Sequence, residues 1–116
     1  DEFFMADEFF MEAWDYVTQN VHKVAKDKGW WNAERNNGEL IALIHSEISE
    51  ALEAMRIPDA ESEKISPFTK VEEELADTVI RIMDMAAARG WNISAAILEK
   101  IKYNENRTYR HGGKIF

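Results

Sequence analysis

A chain of 116 residues holds enough sequence for one domain and one core, and its lack of cysteine excludes disulfides, thiol catalysis and cysteine–zinc sites. A formal charge of −8 argues against a nucleic-acid partner, and it admits a polyphosphate ligand only with divalent cations between carboxylates and phosphates. No apolar run approaches the ~18 residues of a membrane span and no signal-peptide pattern opens the chain, so a cytoplasmic protein without a membrane partner is expected.

The chain begins with a near-tandem repeat, Asp1-Glu2-Phe3-Phe4-Met5 and then Asp7-Glu8-Phe9-Phe10-Met11. A duplication this short is no solenoid repeat. Residues 1–6 therefore read as an extension, a cloning remnant or a duplicated start, ahead of a single domain over 7–116. From Asp7 to Lys28 the residues Phe10, Trp14, Val17, Val21 and Val24 recur at steps of three and four, which predicts a helix with one buried face. Gly29 closes it. Trp30-Trp31-Asn32 opens a polar connection through Asn36-Asn37-Gly38, and a second helix is predicted from Glu39 to Arg56, stopped by Pro58. After a charged loop, Ser66-Pro67 offers a capping serine and a first-turn proline for a third helix that continues to Arg89 and ends at Gly90. Asn92 caps a fourth, reaching Arg107, before the tail His111-Gly112-Gly113-Lys114. No segment reads as a strand. The fold class is all-α, a four-helix bundle or half of a larger one completed by a second copy of the chain.

Acidic residues on helices ordinarily form a solvated face. Here some fall among apolar neighbours. With about 100° per residue and Leu40 at the origin, Ala51, Ile44, Met55 and Ile48 span the first ~80°, with Leu43 and Ala54 just before the origin. Glu47 lies inside that arc at about 340°, Glu50 borders it at about 280°, and Glu53 points away at about 220°. Desolvating a carboxylate is costly without compensation, and no lysine or arginine shares that face of the helix before Arg56. In the third helix the arc of Val71, Leu75, Thr78, Val79, Ile82 and Ala86 has Glu74 on its border and Asp77 three residues on. Glu72 falls within reach of the same arc on its other side, so helical angles leave Glu72 and Glu74 as alternatives. Two helices that each present acids at i and i+3 make a hard-oxygen site suited to Mg²⁺, with Mn²⁺ as a substitute. A di-iron bundle would need Glu-x-x-His pairs, and none of the three histidines has a glutamate three residues before it.

The pattern His45-Ser46-Glu47-Ile48-Ser49-Glu50, followed by Glu72-Glu73-Glu74-Leu75-Ala76-Asp77, resembles the MazG-like all-α nucleoside triphosphate pyrophosphohydrolases. The resemblance runs from Trp30 to the C-terminus and includes Lys100-x-x-x-Asn104-x-x-Arg107, similar to the family's basic–amide–basic trail. Ser46 stands where some relatives carry a glutamate. The resemblance implies a four-helix MazG-like fold and Mg²⁺ held by Glu47, Glu50, Glu74 and Asp77, and it selects Glu74 over Glu72. It further implies hydrolysis of a nucleoside triphosphate to a monophosphate and pyrophosphate, with Glu50 or Glu47 as the proton acceptor. Removal of surplus or non-standard nucleotides is the expected purpose, and a homodimer or dimer of dimers the expected assembly. Lys100, Asn104 and Arg107 share one helical face and could receive phosphates, or could simply complement the helix dipole. A base could stack on Trp30 or Trp31, with the other in the core. His22 and His45 read as packing or surface residues. The alternatives are a related reaction on dUTP or phosphoribosyl-ATP, and a non-catalytic helical interaction module.

Overall fold

The computed structural model describes residues 2–107, with side chains from residue 5 onward; the tail motif His111-Gly112-Gly113-Lys114 lies outside the described residues. Four helices follow one another: α1 (Glu2–Asp27), α2 (Asn37–Ala54), α3 (Lys70–Arg89) and α4 (Ile93–Glu105). The described residues contain no strand, only an isolated bridge between Glu61 and Thr69. The predicted fold class holds at this level. No helix among them is long and apolar enough to cross a membrane.

The local signals explain most of the boundaries. The first helix runs unbroken from Glu2 rather than starting at Asp7, because nothing in the duplicated segment interrupts helical backbone. Gly29 follows it with φ +88°, a left-handed conformation that glycine adopts without strain. Asn36 caps α2 by accepting from the Glu39 N–H at 2.8 Å. For α3 the predicted Ser66 cap is displaced: Ser66-Pro67 forms a cis peptide within the preceding turn, and the helix starts three residues later. Thr69 is the cap. Its side chain accepts from the Glu72 N–H, and Glu72 reaches back to the Thr69 N–H, a reciprocal box that outcompetes the serine–proline start. Gly90, at φ +72°, ends α3, and Asn92 caps α4 as predicted.

In space the order differs from the chain. The antiparallel pair α2–α3 is joined by residues 55–69, α1 also packs on α3, and α4 packs on α1. This central position explains why α3 does not bury the single predicted arc. Thr78, Met83, Met85 and Ala86 are buried, whereas Leu75 and Val79 are exposed. On α2 and its C-cap, Leu40 and Ala51 are buried but Ile41, Ile48, Leu52 and Met55 are open to solvent. Counting His45 among them, these positions step four, three, four and three, the spacing of a helix-packing seam. The array is open. Its radius of gyration is 17.0 Å, against about 13 Å for a compact domain of this length.

Candidate functional site

Between α1, α2 and α3 lies a cleft of about 420 Å³. Its acidic end is built by two helices presenting carboxylates toward each other. Glu47 and Glu50 come from successive turns of α2, Glu74 and Asp77 from successive turns of α3, and all four line the cleft. One oxygen from each of Glu47, Glu50 and Glu74 lies within 4.8 Å of the others, and a second set, Glu73, Glu74 and Asp77, meets the same condition. Glu74 belongs to both sets.

Burial differs along this cluster. Glu47 is 8% exposed, Glu74 and Asp77 are half-buried and Glu50 is open. The Oε2 atoms of Glu47 and Glu74 are both buried without a hydrogen-bond donor. Two ionised carboxylates cannot satisfy each other, since both only accept. A shared proton is one remedy, and a cation is the other. Burial pushes the Glu74 carboxyl up to about 7, reinforced by the neighbouring Glu50 and Glu47. Asp77 is raised by burial and by the charges of Glu47 and Glu73. For Glu47 burial acts upward too, but the Arg81 guanidinium and the bonds to Glu74 and Glu50 together hold it below the usual range.

Arg81 was not among the residues singled out from the sequence. Its Nε donates to Glu47 Oε1 at 2.9 Å, so the cation missing from the acidic face of α2 is supplied by α3. It stands seven residues after Glu74, two turns along the same face, which is where helical spacing would have found it. Lys64, from the connection between α2 and α3, also lines the cleft and lies 3.9 Å from Glu73. Ser62 fixes that connection: fully buried, it donates to Glu73 and accepts from the N–H groups of Lys64 and Ile65.

The alternatives at position 72 or 74 separate geometrically. Glu72 is exposed and spent on the α3 cap, whereas Glu74 lines the cleft. The two tryptophans separate as well. Trp31 is half-buried, its Nε1 donating to both oxygens of Asp84 at 3.0 and 3.1 Å, with the Arg35 and Arg89 guanidinium groups over its ring. His22 Nδ1 donates to the same Asp84 at 2.7 Å and meets Trp31 edge-on, the packing role expected of it. Trp30 lines the cleft and is 61% exposed. Lys100, Asn104 and Arg107 do not line the cleft of their own chain. They are exposed on or just beyond α4, where Lys100 and Arg107 approach the Tyr103 ring.

The cleft therefore joins a carboxylate cluster to four basic residues, Lys28, Arg35, Lys64 and Arg81, and to an exposed indole. Oxygen-rich and underdonated, the cluster suits a hard divalent cation. No protein-family model, curated protein or solved structure matches the chain.

Proposed function

We propose that this protein is a Mg²⁺-dependent nucleoside triphosphate pyrophosphohydrolase that releases a nucleoside monophosphate and pyrophosphate, and that it acts in nucleotide house-cleaning. The observation that carries the reading is the convergence of Glu47, Glu50 and Glu74 with two buried carboxylate oxygens that no donor satisfies. Buried carboxylate oxygens left without a donor are expensive, and a divalent cation bound among them would offset that cost. Glu47, Glu50, Glu74 and Asp77 are the residues that would hold it. When bound there, Mg²⁺ supplies charge neutralisation for the triphosphate and an acidified water.

The other roles fall to groups of the chain. Glu47 is nearly enclosed, so Glu50, open to solvent beside it, is the better-placed acceptor for the proton of an attacking water. Trp30 offers a face to the base, and Lys64 and Arg81 offer positive charge to the phosphates. The exposed seam Ile41, Ile48, Leu52 and Met55 fits a homodimer, or a dimer of dimers, in which α2 packs on a second copy. In such an assembly Lys100, Asn104 and Arg107, which do not line their own cleft, would be free to serve the partner's.

The test is phosphate-product analysis on a panel of ribo- and deoxyribonucleoside triphosphates, dUTP and phosphoribosyl-ATP included, with Mg²⁺ or with chelator. Pyrophosphate release that stops on chelation supports the reading, and the panel names the substrate. Orthophosphate as the product, or turnover indifferent to chelator, sinks it. The same exposed seam would also serve a non-catalytic interaction module, which predicts no divalent-cation binding.

A further inference from the structure

We propose that Arg81 is an internal counter-ion of the carboxylate cluster: a divalent cation displaces it from Glu47, and it then engages the phosphates that arrive with that cation. This rests on the metal-site reading above.

The contact between Arg81 and Glu47 is a single one. Only Nε donates, at 2.9 Å to Oε1, and Arg81 makes no other hydrogen bond among the described residues. A guanidinium carries five donors in a fork that fits carboxylate or phosphate oxygens two at a time, so four donors stand unused. The side chain is about a third exposed where it lines the cleft, whereas Glu47 is nearly enclosed. The carboxylate is therefore held by the fold and the arginine is the member with room to move. Glu47 Oε2, buried and without a donor, is the position left for a second ligand.

Charge makes the exchange self-consistent. Glu47, Glu50, Glu73, Glu74 and Asp77 outnumber Arg81 and Lys64 at this end of the cleft, so a cation is attracted with Arg81 still in place. Once a doubly charged ion shares Glu47, it repels the guanidinium, and a polyphosphate provides the displaced fork with a bidentate partner. Cation and anion binding are then coupled through one side chain. A purely structural brace between α2 and α3 would behave differently, since its loss would weaken both ligands or neither.

The experiment uses the full chain with Arg81→Met and Arg81→Gln. Calorimetry measures Mn²⁺ alone, then inorganic tripolyphosphate in saturating Mg²⁺, with circular dichroism to check folding. Arg81→Met is expected to bind Mn²⁺ roughly tenfold tighter and tripolyphosphate roughly tenfold weaker, the size of one charge-assisted hydrogen bond in each direction. Arg81→Gln, which keeps one donor for Glu47, should fall between, and it carries the test if the methionine variant does not fold. Unchanged or weaker Mn²⁺ binding overturns the proposal, and so does unchanged tripolyphosphate affinity. A wild-type protein that binds no Mn²⁺ overturns the metal-site reading instead, and this proposal with it.

Discussion

Replacing Glu74 by glutamine should stabilise the cation-free protein at alkaline pH while removing much of its response to Mg²⁺. Glu74 is half-buried between Glu47 and Glu50, with its Oε2 lacking a donor, and its carboxyl is lifted from an ordinary 4.5 to about 7. At ~1.4 kcal/mol per pH unit, that lift corresponds to at most about 3.5 kcal/mol withheld from the folded state once the group is ionised. The folded protein keeps this proton to a higher pH than the unfolded chain does. Stability should therefore fall as pH rises from about 4.5 to 7, and the whole penalty is present above 7. A neutral amide avoids the ionisation and donates to the neighbouring carboxylates, so Glu74→Gln should gain roughly 1–3 kcal/mol at pH 8, about 5–10 °C in Tm, and little at pH 5. Saturating Mg²⁺ should reverse the ranking, because the wild type gains binding energy that one fewer carboxylate cannot supply. Thermal unfolding at both pH values, with chelator and with Mg²⁺, measures all four states. If Glu74→Gln is no more stable than wild type at pH 8 in chelator, or gains the same increment from Mg²⁺, the account of the cluster is refuted.

The two tryptophans should part company under mutation. Trp31→Phe keeps an aromatic ring but removes the indole donor from Asp84 and should cost about 1–2 kcal/mol in denaturant unfolding, whereas Trp30→Ala should cost under about 0.5 kcal/mol yet weaken a nucleoside triphosphate more than tripolyphosphate. Leu52 is 70% exposed, so Leu52→Glu should leave the fold intact and convert an oligomer to a monomer in light scattering; a wild-type monomer would dismiss the seam. Thr69→Ala should lose about 1 kcal/mol with the α3 capping box and leave Mn²⁺ affinity unchanged, because Glu72 stands outside the cleft. Gly90→Ala should cost about 1–2 kcal/mol through backbone conformation alone, since its φ is +72° and a Cβ there meets nothing within 4 Å.

How much of this was legible in the sequence depends on how local each feature is. Helical periodicity and the glycine and asparagine boundaries predicted four helices, and four are observed among the described residues, most ends shifting by a few positions. The α3 start was legible too, as Thr69-x-x-Glu72, but Ser66-Pro67 masked it, and with it the reason that Glu72 is unavailable to the cleft. Helical angles alone placed Glu47 within an apolar arc, and it is the most buried of the acids singled out. Such angles describe one helix in isolation, so they gave Glu50, Glu74 and Asp77 no common location; only the family resemblance joined them to Glu47 as one expected magnesium site.

That location is a matter of which faces meet. Antiparallel packing of α2 on α3 brings Glu47, Glu50 and Glu74 together and carries Arg81 to Glu47 across thirty-four positions of sequence. Contact with α1 selects Trp31 for Asp84 and His22 and leaves Trp30 to the cleft. The position of α4 on α1 keeps Lys100, Asn104 and Arg107 away from their own chain's carboxylates. The sequence by itself determined the helices and one carboxylate out of place, because backbone hydrogen bonding and side-chain periodicity act within a few residues. Only the tertiary structure decided the composition of the cleft, because a charge buried on one helix is compensated by whichever helix packs against it.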